Sequence, residues 1–399
     1  MSGQSQRITH HPLLRHRDGH HAKVTYEELF FDLVYVFAVT QISHALLHHL
    51  TLLGALEALV LWFGVWLGWQ YTAWLTNWFD PERPRIRMVL FASMLAALGM
   101  SAAIPHAFEE TGLIFAGCYV AIQFGRTAFI CHQLGRDHIL YPNYRRMMVW
   151  LAISGCFWIA GGLAGHGLRL GLGLWAVAVL CEYVSPMIGF RLPFMGRSHT
   201  REWTIDGGHL AERCQLIVII ALGETLLATG GTLSQAVRWD AATLSATLAT
   251  FFGTLALWWL YFGTSSKDAT EVITGSDDPG RIGARFHYIH AVLIFGIIVG
   301  AVGNDLAMEH PGDHATLPQL LVIVAGPAIY LLGSAIYKHM VYGRVPVSHI
   351  AGAVLLAASA PIGLAANLMV MGWVTTVVLF AVGLWDSRAP QCRELRPAG

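Results

Sequence analysis

Thr25 to His44 reads TYEELFFDLVYVFAVTQISH, an apolar helix long enough to enter a bilayer that nevertheless carries Glu27, Glu28 and Asp32 in its first two turns. A carboxylate inside hydrocarbon costs about 2.5 to 3.5 kcal/mol even on the lenient insertion scale, so Asp32 requires a polar partner from elsewhere in the chain. At about 100° per residue, Glu28, Asp32, Tyr35 and, less closely, Val39 share one stripe, while Phe30, Leu33 and Phe37 point elsewhere. Thr25 to Glu28 also spells a capping box, and Glu27 and Glu28 suit the positive end of the helix dipole. Asp32 lies about 6 Å further along the axis, beyond the reach of a cap, which favours a buried interaction for it.

Working outward, composition agrees. Of 399 residues 55% are hydrophobic and 13% charged, against about 25% charged in a soluble domain, which marks an all-α integral membrane protein. The formal net charge is zero. No basic cluster with interleaved aromatics supports nucleic-acid binding. A polar, His-rich segment precedes the first apolar run, so no cleavable signal peptide is expected. The six cysteines show no CxxC pair, and five lie in apolar runs as small buried hydrophobes.

Residues 1–23 read as a polar cytoplasmic tail, a disordered basic flank that orients the first helix. Twelve apolar runs follow, near 27–48, 52–78, 86–106, 112–133, 145–165, 168–190, 208–230, 240–264, 285–308, 317–341, 348–366 and 369–386. Most meet the requirement of about 20 residues for a span. The last pair is broken only by Pro361 and scattered glycines, so one re-entrant element is an alternative to two spans. With the N-terminus inside, the cytoplasmic segments hold 21 of the 25 Lys and Arg residues, the asymmetry expected of a multi-pass membrane protein with both termini cytoplasmic. Lys338 is counted in this set, after the tenth run.

The chain also resembles itself. EELFFDLVYVFAV pairs with AERCQLIVIIALGE, WLGWQY with ALWWLY, MSAAIPHAFE with VGAVGNDLAME, and YVAIQFGRTAF with PAIYLLGSAIY, in the same order. An even number of spans per copy predicts two parallel six-helix repeats, 24–190 and 208–386, joined by a cytoplasmic linker over 191–207 and ending in a cytoplasmic tail over 387–399.

The second informative stretch is DGGHLAERCQLIVIIALGE, residues 206–224. Asp206 before two glycines reads as an N-cap, with His209, Glu212 and Arg213 a turn further on. Arg213 is an intramembrane cation opposite Asp32 by repeat symmetry, and the two are expected to pair across the halves; the alternative is that Glu212 and Arg213 snorkel to the headgroups. Glu224 lies about 18 Å beyond Glu212, past the midplane. There, burial without a close cation would keep it neutral and make it a natural proton-coupling group; a protonated glutamate bonding a neighbouring helix is the structural alternative.

Arg126 and Glu182 form a second expected pair, and Asp305 ends the ninth run beside Asn304. His44, His48 and His49 read as interfacial. Glu28, Asp32, His209 and Glu212 offer oxygen and imidazole donors, but their spacing matches no metal motif, so no metal or cofactor is expected. No GxSxG, Walker A or dinucleotide fingerprint has a strand-to-helix context.

ELFFDLVYVFAV and HLAERCQLIVIIALGE, with FDPE after the second run, resemble the paired signatures of the bacterial low temperature requirement A (LtrA) family. The resemblance spans essentially the whole chain and implies the multi-pass topology. It places Glu28, Asp32, Glu212, Arg213 and Glu224 at the family's motif positions. The expected function is a proton- or cation-coupled transporter with a site between six-helix halves, its partners the lipid bilayer and a small solute or ion. In this reading Glu224 takes up a proton or cation, Asp32 and Arg213 switch, and Glu28 and Glu212 line the cytoplasmic mouth; Tyr35, His209, Arg126, Glu182 and Asp305 are secondary candidates. A sensor or structural protein, and an enzyme acting on a lipid headgroup through His209 and Glu212, are the alternatives. Oligomeric state stays open.

Overall fold

The computed structural model describes residues 11–17, 22–164, 168–200, 205–236, 238–263 and 266–388. Most of the polar tail and Cys392, Arg393 and Arg396 lie outside them. Among the described residues, twelve helices are long and apolar enough to cross a membrane. They are α1 Tyr26–His48, α2 Leu52–Trp78, α3 Pro84–Ala102, α4 Gly112–Leu134, α5 Tyr141–Leu163 and α6 Leu168–Met187, then α7 Gly207–Gln235 and α8 Ala241–Phe262. After the short α9 Ser266–Thr274 come α10 Pro279–Glu309, α11 Leu317–Tyr342, α12 Val347–Ala365 and α13 Leu368–Arg388. In hydrocarbon a helix satisfies its own backbone, and this dictates the all-helical solution.

Helix ends follow local chemistry. Pro84 starts α3, where its missing N–H costs nothing. Asp240 caps α8 by accepting from the Thr243 N–H at 2.8 Å. Thr316 and Gln319 box the start of α11, and Gly343 closes it with a left-handed φ of 72°. The 350–386 region forms two helices, α12 and α13, because the chain turns extended at Ala366.

The chain gathers into two compact units. The first comprises residues 1–42, 57–210 and 278–281; the second comprises 43–56, 211–277 and 282–399. In the first, α5 packs on α6 and α4, and α4 on α3. Its interior is rich in tryptophan, with Trp62, Trp66, Trp69, Trp158 and Trp175 all buried. The α1 stripe is selective: Glu28, Asp32, Tyr35 and Val39 are buried, whereas Phe30 and Leu33 are more than half exposed, as hydrocarbon-facing side chains are.

Residues 11–17 are a packed strap, in contrast to the disordered flank that composition suggested. Leu13 enters the core beside Trp78, Phe79, Leu134 and Tyr144. The Arg15 N–H donates to the Trp78 carbonyl at 2.8 Å, and the Asp80 N–H donates to the Leu13 carbonyl at 2.9 Å. The strap thus occupies carbonyl acceptors that the end of α2 leaves open.

In the second unit α8 packs on α13, α11 on α12, and α12 on α13. Helices α10 and α11 touch backbone to backbone: a Cβ on Gly326 would collide with the Gly300 backbone. Small residues at such a crossing let membrane helices approach closely.

Candidate functional site

In the first unit a polar cluster joins the start of α1, the end of α2, the first turn of α7 and the strap. Thr25 and Glu28 cap one another, with Glu28 Oε2 accepting from the Thr25 N–H at 2.9 Å and from its hydroxyl at 3.1 Å. The same carboxylate is fully buried. Oε2 also accepts from the Arg15 guanidinium at 2.8 Å, and Oε1 faces His209 Nε2 at 2.9 Å. The cap expected of Glu28 is formed, and the carboxylate is buried as well. Glu27 turns outward and pairs with Arg87 at 2.7 Å.

Hydrogen-bond arithmetic sets the imidazole. Asn77 Oδ1 accepts from the Asp206 N–H at 2.8 Å, and its Nδ2 donates to the Asp206 carbonyl at 2.9 Å, which fixes the amide orientation. The same Nδ2 faces His209 Nδ1 at 3.1 Å, so Nδ1 accepts, and the ring donates from Nε2 to Glu28. Asp206 caps α7, accepting from the His209 N–H at 3.0 Å, and takes the Ala22 N–H on its other oxygen at 2.7 Å.

Deeper in the same unit lies a second layer. Asp32 Oδ1 accepts from Trp69 Nε1 at 2.6 Å. Glu182, fully enclosed, receives four neutral donors: the Tyr119 hydroxyl at 2.6 Å, Gln123 Nε2 at 2.9 Å, the Ser154 hydroxyl at 2.9 Å and Trp158 Nε1 at 3.0 Å. Arg126 does not touch it, which corrects the expected direct pair. Its guanidinium donates instead to Gln123 Oε1 and to the Thr72 hydroxyl, each at 2.5 Å, and to the Gly68 carbonyl at 3.4 Å. Gln123 therefore stands between the charges, on a π-helical turn, Ala121–Gly125, within α4. A wider turn rotates the following residues, which lets Gln123 face both Glu182 and Arg126. Tyr35 completes the layer: its buried hydroxyl has no hydrogen-bond partner among the described residues, and it packs where a Gly68 Cβ would approach to 2.8 Å.

Glu28, Asp32, Tyr35, Arg126, Glu182 and His209 thus belong to the first unit, and Glu212, Arg213, Glu224 and Asp305 to the second. Arg213 and Asp305 are buried, and Glu212 and Glu224 half-buried. A narrow cavity of about 30 Å³ in the second unit has Thr225, Thr254, Thr376 and Asn304 among its lining residues, but not Glu224. It has room for a water molecule. Among the described residues no three His, Cys, Asp or Glu side chains gather as a metal site.

Sequence reasoning missed two clusters of the second unit. Lys338, counted as a flanking charge, is buried inside α11 and paired with Asp386 of α13. His349 of α12 joins them, accepting from or donating to the Ser334 hydroxyl at 3.0 Å. Tyr261 donates to His290 Nε2 at 2.7 Å, while Nδ1 of that ring faces the Phe286 carbonyl at 2.7 Å. The signal was present as Lys338 and Asp386 in the last turns of apolar runs and His290 and His349 in the first turns of others, but flank and core look alike there.

These features define the class: a multi-pass α-helical membrane protein whose spans enclose hydrogen-bonded charges. The chain belongs to the bacterial low temperature requirement A protein (LtrA) family, whose model matches residues 23–384. It is similar to "Uncharacterized protein RA0937" of Rhizobium meliloti (strain 1021), with 35% identity over 376 residues, 94% of this chain and 91% of that one. No solved structure matches the chain.

Proposed function

We propose that the protein is a proton- or cation-coupled transporter of a small solute in the bacterial inner membrane, with both termini cytoplasmic. The observation that carries this reading is the Arg126, Gln123 and Glu182 arrangement. A carboxylate and a guanidinium in low dielectric gain most from direct bidentate contact. Here one amide holds them apart, on a π turn, and such turns occur frequently at functional sites. Among the described residues Glu182 is bound by neutral donors, so its proton can come and go without breaking an ion pair. Ionisable groups inside spans are by default groups that ions or protons visit. On the same ground Glu28, Asp32, Glu212, Arg213 and Glu224 are assigned to the ion path, and the two six-helix repeats to its framework.

A sensor or packing role is the second reading, favoured by the completeness of the Glu28 and Glu182 hydrogen bonding. The two separate in proteoliposomes under an imposed potential, by comparing proton flux through the wild type with Glu182→Gln and Glu224→Gln. Transport predicts flux that falls at least tenfold in one or both variants at equal folded yield. Absence of wild-type flux, with and without candidate solutes, would move the assignment to the packing role.

A further inference from the structure

Between Met187, where α6 ends, and Ser198 the chain makes a hairpin whose tip touches none of the buried charges. The Ser198 N–H donates to the Gly189 carbonyl at 2.7 Å and the Leu192 N–H to the Gly196 carbonyl at 3.2 Å, so the loop closes on itself. Its base is fixed. Phe190 is buried in the core of the first unit, and the Arg146 guanidinium of α5 donates to the Met195 carbonyl and to the Ser198 hydroxyl, both at 2.9 Å. That hydroxyl donates in turn to Asn143 Oδ1 at 2.8 Å. All of these residues belong to the first unit.

On this fixed base Phe194 stands fully exposed, with a φ of 63°. A bulky side chain rarely takes that left-handed conformation. Arg191 and Arg197 are exposed on either side of it. They flank an open groove of about 800 Å³ that Leu192, Pro193 and Phe194 also line, and neither pairs with a carboxylate among the described residues. The helix sets the depth of this groove. Arg191 follows Met187 by four residues, which reach at most about 14 Å, and the headgroup layer beside the hydrocarbon core is about 5 to 8 Å thick. A hairpin folded back onto the end of a spanning helix therefore lies at headgroup depth, whichever face α6 ends on.

We propose that the groove between Arg191 and Arg197 binds the phosphodiester of an anionic phospholipid, with Phe194 seated among the acyl chains beside it. A guanidinium presents paired donors that match phosphate oxygens. In a zwitterionic lipid the ammonium competes for the same phosphate; in phosphatidylglycerol nothing does, so the two arginines select a headgroup of net negative charge. Cations beside an exposed aromatic are the pattern by which peripheral segments hold a bilayer interface. The Phe194 ring favours a lipid over free phosphate, which offers it no apolar contact. This site is independent of transport.

The test uses the full-length protein in nanodiscs of phosphatidylcholine with and without phosphatidylglycerol. Wild type should gain at least about 2 °C in thermal midpoint from phosphatidylglycerol, and Arg191→Gln with Arg197→Gln should lose that gain. Arg136→Gln with Arg145→Gln removes the same charge from exposed positions elsewhere and should keep it. No gain in wild type overturns the proposal, as does equal loss in both double variants, which would show a diffuse charge effect. If Arg191→Gln with Arg197→Gln is not recovered folded, hydrogen exchange of the wild type replaces it. Amides of 191–197 exchanging severalfold more slowly with phosphatidylglycerol, with no change over 135–140, support the site; equal rates in the two bilayers overturn it.

Discussion

Glu182 and Tyr35 sit in one buried layer and represent opposite limits of hydrogen-bond accounting. Each Glu182 oxygen receives two donors. A glutamine there would turn its NH₂ toward two of them, either Tyr119 and Gln123 or Ser154 and Trp158. Leaving buried donors unsatisfied costs about 1 to 3 kcal/mol, so Glu182→Gln should unfold at measurably lower temperature than wild type. Tyr35→Phe deletes a hydroxyl that has no partner among the described residues, and its midpoint should match wild type or rise slightly. A pronounced loss in Tyr35→Phe would mean that a bound water or ion completes that hydroxyl, and would add Tyr35 to the ion path. The sequence exposed Glu182 and Arg126 because charges stand out in apolar runs. It concealed Tyr119, Ser154 and Trp158, since neutral polar groups in spans are unremarkable until a carboxylate is placed among them.

At the level of elements, α1 was legible in detail because one face must avoid hydrocarbon, and its period of about 3.6 residues names that face directly. The π turn in α4 was not, for it shifts the register of Arg126 relative to Gln123 without changing composition. The strap was hidden for a related reason: seven residues bearing a Leu13–Leu14 pair among basic groups give no periodic signal. Its anchoring also involves the 135–140 loop between α4 and α5, where the rings of His11 and His138 meet edge to face at 5.7 Å. His138 Nδ1 accepts from the Leu140 N–H at 3.2 Å. Burial first, and the neighbouring His11 second, hold the His138 imidazole below its ordinary value of 6.5. The folded state therefore prefers the neutral ring, and the unfolded chain takes up this proton first as the pH falls. The contribution to stability is complete above the unfolded value and is lost as the pH drops through it toward the folded one. Between about pH 7.5 and 5 the wild-type midpoint should fall more steeply than that of His138→Gln. Parallel pH profiles would exclude His138 as the cause.

For the whole molecule, bilayer thickness made the span count readable, because each crossing needs about 20 apolar residues and the described residues provide twelve such helices. The grouping of residues into two units with boundaries inside α1, α2, α7 and α10 was not readable, since continuous helices carry no mark where their contacts change. Lys338 shows the limit of reading charge alone: in the last turn of its run it counts as a flanking charge, yet it is buried against Asp386 in the fold. Orientation nevertheless rests on many residues, Arg83, Arg85 and Arg87 after α2, Arg136, Arg145 and Arg146 around the α4–α5 turn, and Arg191 and Arg197 after α6. Loops rich in arginine resist translocation, so these turns and both termini should share the cytoplasmic face. Alkaline phosphatase fused after Phe108, Trp239 or Gly312 should then be active, and the same enzyme fused after Asp137, Met195 or Gly343 inactive. Activity at Asp137 and Met195 with silence at Phe108 would invert the molecule and place the Glu28 and His209 cluster on the periplasmic side. Mixed activity within one set would break the alternation itself, and with it the twelve-span count, because an even number of crossings ties every second loop to the face of the N-terminus.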